Sequence, residues 1–269
     1  MTATVSEPRG GLDSRLRRRV IIGSTIVVAL VAFVVWAVDR IDQLDASTQA
    51  TNPIIRWEYV FVREQTPHEL WDRTLEHLQL TIQAMVLGFL IAAVLSAIAL
   101  RFRWTLTPIT AFSGFLYTIP SLALFGVLVG YTSNWTSALI ALTSYTLLIL
   151  VRNIVAGIEG VPPAVTDAAD GLGMSRMRRL WSVEIPLALP VILTGVRVAT
   201  VTTVGLVAVT SIIQLGGLGS LIFDGFNDRY TTKIVLGTVL SIALAIALDL
   251  VLRVIEWATT PWTRRRVAR

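Results

Sequence analysis

Six stretches of apolar residues, each near the roughly 20 residues that cross a hydrocarbon core, dominate this chain and dictate its class. They run over about 20–38, 78–100, 109–129, 136–151, 187–213 and 234–257, the fourth being the shortest. No period-2 alternation runs through them, so the expected fold is all-α, a bundle of about six transmembrane helices rather than a β-barrel. Hydrophobic residues make up 54% of the chain and charged residues 15%, against roughly a quarter charged in soluble domains, which excludes an ordinary soluble enzyme.

Basic residues set the expected orientation, because cytoplasmic flanks carry the excess of Lys and Arg. With the N-terminus inside, fifteen of the 23 basic residues fall on the cytosolic side, among them Arg15, Arg17, Arg101, Arg103, Arg152, Arg176, Arg178, Arg179 and Arg264. Both termini are therefore expected in the cytosol. These arginines cluster at membrane boundaries, so topology accounts for them and nucleic acid is not an expected partner. The first block also allows a signal-peptide reading, but it exceeds the usual apolar core of about 7–15 residues and no small-x-small cleavage site abuts it. A retained first helix is the expectation. Within the external segment that follows, Trp57, Tyr59 and Trp71 suit interfacial anchors. Thr66, Pro67 and Glu69 read as the start of the second membrane helix, beginning outside the bilayer.

One polar island stands out between the apolar blocks. Pro162 and Pro163 suit a helix start, and Gly173 suits its left-handed end. Ser175 can cap a second short helix, Arg176 to Val183, with Pro186 as its expected stop. A cytosolic helical hairpin over 162–186 results, with Ala168 and Ala169 permitting close approach to a partner groove and Asp167 able to meet a basic or N–H-rich surface.

No catalytic constellation is present. A P-loop needs a Gly-rich turn followed by Lys and Ser or Thr, whereas Lys233 is the one lysine and lacks such a turn, so the chain is not itself an ATPase. The absence of cysteine excludes disulfides and thiolate metal sites, and His68 and His77 are off any i, i+4 register, so no metal is expected. Gly216, Gly217 and Gly219 resemble part of a phosphate cradle but follow a membrane helix rather than a strand, which favours a flexible external turn or gate loop. In the last block Asp249 and Arg253 share a face and can pair, with Glu256 three residues on. A structural pair and an ion relay are both open readings. Arg197 has no local partner and suits a cross-link between helices or a polar vestibule.

The hairpin resembles the EAA loop of permease subunits from type I ATP-binding-cassette importers, whose pattern is Glu-Ala-Ala, three residues, Gly, nine residues, then Ile-x-Leu-Pro. Asp167, Ala168, Ala169, Gly173, Val183, Ile185 and Pro186 keep that spacing, with Asp for Glu and Val and Ile for Ile and Leu. Three further stretches are similar to the glycine betaine, carnitine and choline uptake permeases: 117–126, which includes Tyr117, Pro120 and Ser121; 216–219; and 249–252. The resemblance covers about 67–261.

It implies a MetI-like permease domain there, preceded by a cytosolic tail (1–19), an additional first helix (20–38) and an external loop (39–66), and followed by a basic cytosolic tail (262–269). It further implies a multi-pass protein of a bacterial-type inner membrane, a second permease subunit, an external substrate-binding protein, and ATPase subunits that bind ATP and Mg while this chain binds no cofactor. Asp167, Ala168, Ala169, Gly173, Arg176, Ile185 and Pro186 would couple to the ATPase, and Tyr117, Pro120, Ser121, Gly216, Gly217 and Gly219 would lie on the gate or path. Permeases for methionine or another small solute share the hairpin pattern, and a stand-alone secondary transporter using Asp249 is the alternative from another class.

Overall fold

A computed structural model describes residues 66–264, all of whose regular elements are helical. The expectations for the N-terminal tail, the first helix (20–38), the loop carrying Trp57 and Tyr59, and the tail beyond Arg264 lie outside the described residues. The order is α1 (Thr66–Arg101), a short 3₁₀ turn (Arg103–Thr105), α2 (Leu106–Thr118), α3 (Ser121–Val129) and α4 (Asn134–Glu159). Then come α5 (Pro163–Gly171), α6 (Arg176–Arg179), a π-helical segment (Leu180–Glu184), α7 (Ile185–Val209), α8 (Leu218–Asn227), α9 (Thr231–Thr259) and α10 (Pro261–Arg264).

Helix α1 has 36 residues, about 54 Å at 1.5 Å per residue, and so outreaches a bilayer core. Its described residues begin at Thr66. Glu69 in its first turn and Arg101 in its last both complement the helix dipole. Four helices are long and apolar enough to cross a membrane, or five when α2 and α3 count as one broken span. Five of the six expected spans are thereby located among the described residues.

The block at 109–129 is not one straight helix. Its two halves meet at 88°. Pro120 lacks an N–H and pushes Ile119 into an extended conformation (φ −66°, ψ 128°), so neither α2 nor α3 continues across the joint. In lipid, a freed carbonyl must find a donor inside the protein. The Tyr145 hydroxyl on α4 supplies it, donating to the Ile119 carbonyl at 2.6 Å. Tyr145→Phe should therefore leave that carbonyl unpaired and cost about 1–2 kcal/mol, read as a lower thermal midpoint of the purified protein. An unchanged midpoint would show that the bend is held by packing alone.

The shortest block became the centre of the bundle. Helix α4 spans 26 residues and packs against α1, α2, α3 and α7. Apolar counting stopped at Val151 because Arg152 and Asn153 follow it, yet the helix runs on to Glu159 with Ile154 and Val155 buried against neighbouring helices. Two apolar clusters run along it. One joins Met85, Leu150, Val151, Val155 and Ile192, and the other Leu80, Phe125, Leu142, Tyr145 and Val207. By contrast α9 is mostly outward-facing, with Val239, Ile242, Ile246, Leu250 and Val254 exposed, and meets the rest through α7 and α8.

Candidate coupling hairpin and outer turn

The island at 162–186 folds as a hairpin whose turns follow from local chemistry. Pro163 opens α5 at its first turn, where a missing N–H costs nothing. At the other end Gly173 takes φ +73°, its N–H donating to Asp170 O (2.9 Å) while Met174 N–H donates to Ala169 O (3.2 Å). Those two bonds form a Schellman cap, which needs a residue tolerant of the left-handed region. Ser175 then caps α6, its hydroxyl accepting from Arg178 N–H at 3.4 Å.

The second arm departs from expectation. It does not end near Val183, and Pro186 does not stop it. Instead α6 passes through the π segment Leu180–Glu184 into α7, making one helical run from Arg176 to Ile213. Proline disrupts an α-helix because its ring meets the carbonyl four residues back, and the wider π turn immediately before Pro186 relaxes that spacing. The outer arm of the hairpin is thus the end of a membrane helix.

The site residues divide by exposure. Asp167, Ala168, Gly173 and Arg176 face outward, whereas Ile185 and Pro186 are partly buried. Ala169 is only 4% exposed and packs inward, so the two alanines do not share a surface. Three apolar side chains that sequence reasoning did not single out project instead: Leu172 (78% exposed), Met177 (65%) and Trp181 (65%). Arg179 was grouped with the topological arginines, but it binds Asp170 across the hairpin and, within its own arm, Glu184 Oε1 at 2.7 Å. The signal was an acid and a base nine residues apart across a Gly turn. At the same end of the bundle Arg103 pairs with Glu159.

At the opposite end, the glycine run is tied to its neighbours by hydrogen bonds and close packing. Gly217 takes φ +76° and donates its N–H to Glu76 Oε2 on α1 at 2.8 Å. Ser220 donates to Gly217 O at 2.6 Å, and Arg73 binds the Ser220 hydroxyl and lies 3.7 Å from Asp224. Gly219 lies so close to α7 that a Cβ there would stand 2.0 Å from Ala208 O. The run opens α8, a short helix that sequence reasoning missed because ten residues fall below any span threshold. Tyr117 meets Tyr145 edge-on (6.1 Å, 77°) beside the Pro120 bend, with Ser121 starting α3. No hydrogen bond joins this bend to the glycine turn among the described residues.

Inside the bundle, Arg197 of α7 finds its partners on α9. Its Nε donates to Asp249 Oδ1 (2.8 Å), its Nη2 to Asp249 Oδ2 (3.2 Å) and its Nη1 to Glu256 Oε2 (3.2 Å). Arg253 completes the group at 3.0 Å from Asp249. The cross-link reading of Arg197 holds, and Asp249 is engaged on both oxygens. No cluster of three or more metal-ligating side chains occurs among the described residues.

The fold is that of a type I importer permease. The same fold is found in the MetNI methionine ABC transporter in an inward facing conformation (TM-score 0.65, 20% identity, 73% of this chain and 99% of that one). The chain belongs to the family described as binding-protein-dependent transport system inner membrane component, whose model matches residues 84–260. It is similar to the osmoprotectant import permease protein OsmW of Salmonella typhimurium, at 36% identity over 194 residues, 70% of this chain and 90% of that protein. Similarity extends to the glycine betaine/carnitine/choline transport system permease protein OpuCB of Bacillus subtilis, at 35% identity over 72% of this chain and 89% of the relative.

Proposed function

We propose that this chain is the membrane-spanning subunit of an ATP-driven importer of small compatible solutes such as glycine betaine, choline or carnitine, and that the hairpin is its contact with a separate ATPase. The observation that carries the reading is the hairpin's construction. Its two arms are fixed to one another by the Gly173 cap and by Arg179, it exposes Leu172, Met177 and Trp181, and its second arm continues into α7. Exposed apolar side chains on a rigid helical elbow suit a helix-in-groove contact. Displacement of such an elbow passes along a run of 38 residues, about 57 Å of helix, into the bundle. ATP-driven closure of two ATPases would then bias two packings of the helices.

In this reading Asp167 and Ala168 meet the ATPase, Arg176 adds a charge contact, and Ala169, Ile185 and Pro186 hold the elbow's shape. Tyr117, Pro120 and Ser121 mark a bend beside the path, and Gly216, Gly217 and Gly219 shape its outer mouth. The hairpin end and both termini face the cytosol. A second permease subunit and an external binding protein complete the assembly, and the ATP and Mg belong to the ATPase.

Two measurements test this. The chain reconstituted with its ATPase and binding protein should take up labelled glycine betaine or choline, whereas uptake of methionine alone would reassign the solute. Gly173→Leu should leave membrane insertion intact, since a Cβ there meets nothing within 4 Å, yet twist the turn out of its left-handed conformation and stop an ATPase from co-purifying. Normal substrate-stimulated ATP hydrolysis by the Gly173→Leu complex would contradict the coupling role.

A further inference from the structure

A cavity of about 180 Å³ opens at the end of the bundle opposite the hairpin, between α1, α4, the end of α7 and the glycine turn. An apolar cavity of about 150 Å³ is enough to hold benzene, so this one has room for a small organic molecule rather than for water alone. Its walls are chemically mixed. Leu80 and Val207 are apolar, Trp135 brings an indole, Glu76 a carboxylate and His77 an imidazole, and no Lys or Arg lines it.

Each polar wall is held in place by a bond made elsewhere. Glu76 accepts from Gly217 N–H through Oε2 only, leaving Oε1 without a hydrogen bond. Trp135 donates its Nε1–H to Gln83 Oε1 at 3.1 Å, which fixes the indole. His77 is fully buried; its Nε2 stands 3.0 Å from Val204 O and so carries the proton there, while Nδ1 is left with a lone pair and no partner.

The carboxylate and the aromatic ring have one electrostatic sense, since both favour positive charge. A hard metal ion is a poor match, since only Glu76 and His77 could ligate it and no third ligand stands with them. A bulky cation whose charge is spread over methyl groups fits the size, the apolar walls and the ring together. We propose that this cavity is a binding site for a quaternary ammonium head group, with Trp135 and Glu76 as its principal contacts. The proposal rests on the importer reading for its biological use, as a first station for the solute on the outer side of the permease. Its chemistry stands on the cavity alone.

The test uses the full-length chain purified in lipid nanodiscs and labelled choline as the probe. Choline should bind and be displaced by tetramethylammonium, while 3,3-dimethylbutan-1-ol, its uncharged isostere, should displace it at least about tenfold less well. Glu76→Gln keeps an acceptor for Gly217 N–H but removes the charge, and Trp135→Leu removes the ring; each should weaken choline about tenfold, whereas Trp135→Phe should stay within about threefold. Should Trp135→Leu fail to fold, Glu76→Gln carries the same test.

The assignment is overturned by absence of choline binding to the wild-type chain, by equal displacement by the neutral alcohol, or by unchanged affinity in Glu76→Gln. Uptake of labelled glycine betaine by cells carrying the wild-type transporter separates the two levels. Uptake without choline binding would remove the cavity and leave the importer reading standing. Binding without uptake of any quaternary ammonium solute would do the reverse.

Discussion

Replacing Arg197 with methionine should lower the thermal midpoint of the purified chain by about 5–15 °C, one of the two largest effects expected for a single substitution here. The reason lies in what the change leaves behind. Arg197 holds both oxygens of Asp249 and one of Glu256, and its side chain is only 21% exposed. Without it two carboxylates remain within a membrane-spanning helix beside Arg253 alone, which is well exposed and bonds only Asp249. Removing one member of a buried ion pair costs roughly 3–5 kcal/mol, and partial exposure together with the remaining arginine reduces that to about 2–4 kcal/mol. Neutralising the acids as well, in Arg197→Met/Asp249→Asn/Glu256→Gln, removes the stranded charges and should recover more than half of the loss. Equal destabilisation of the single and triple variants would mean that the arginine stem, not its charge, holds α7 to α9.

The importance of Arg197 was only half legible in the sequence. An arginine ten residues into an apolar block announces a partner, yet Asp249 and Glu256 lie 52 and 59 residues further on, and only the packing of α9 on α7 brings them together. Proline shows the same limit differently. Pro120 and Pro186 carry identical local rules, but one joint is bent by 88° and closed by a tyrosine from another helix, while the other is absorbed by a π turn within a continuous run. Whether a proline breaks a helix depends on what its surroundings offer the freed backbone.

Features settled within a few residues were readable. The hairpin's caps at Pro163, Gly173 and Ser175 are local chemistry, and the spans at 78–100, 187–213 and 234–257 follow from bilayer thickness. What escaped was sidedness around a helix. Ala168 and Ala169 are adjacent, yet one faces out and the other in. Likewise α4 was underestimated because Arg152 and Asn153 ended the apolar count at Val151, although Ile154 and Val155 beyond them still face the packed interior.

Gly219→Val should prevent the chain from accumulating in the membrane, or lower its midpoint further than the loss of Arg197 does. A Cβ at Gly219 would lie 2.0 Å from Ala208 O and 2.6 Å from Ala208 C, so the obstacle is the backbone of α7's last turn, which has no rotamer to change. Overpacking usually costs about 1–3 kcal/mol, and more where only the main chain can yield. Pushing α8 outward also strips its anchors in turn, the Gly217 N–H from Glu76 and the Ser220 hydroxyl from Arg73, and with them the wall of the outer cavity. The informative control is Gly173→Ala. That residue too sits at a glycine of the family-like pattern, but in open space, so only its left-handed φ resists the substitution, at about 1–2 kcal/mol. If the two variants proved equally stable, the close approach of α8 to α7 would not be a constraint on the fold. If Gly219→Val fails while Gly173→Ala accumulates normally, the outer glycines are there for proximity and the hairpin glycine for conformation. The same residue type would then serve opposite ends of the bundle for different physical reasons.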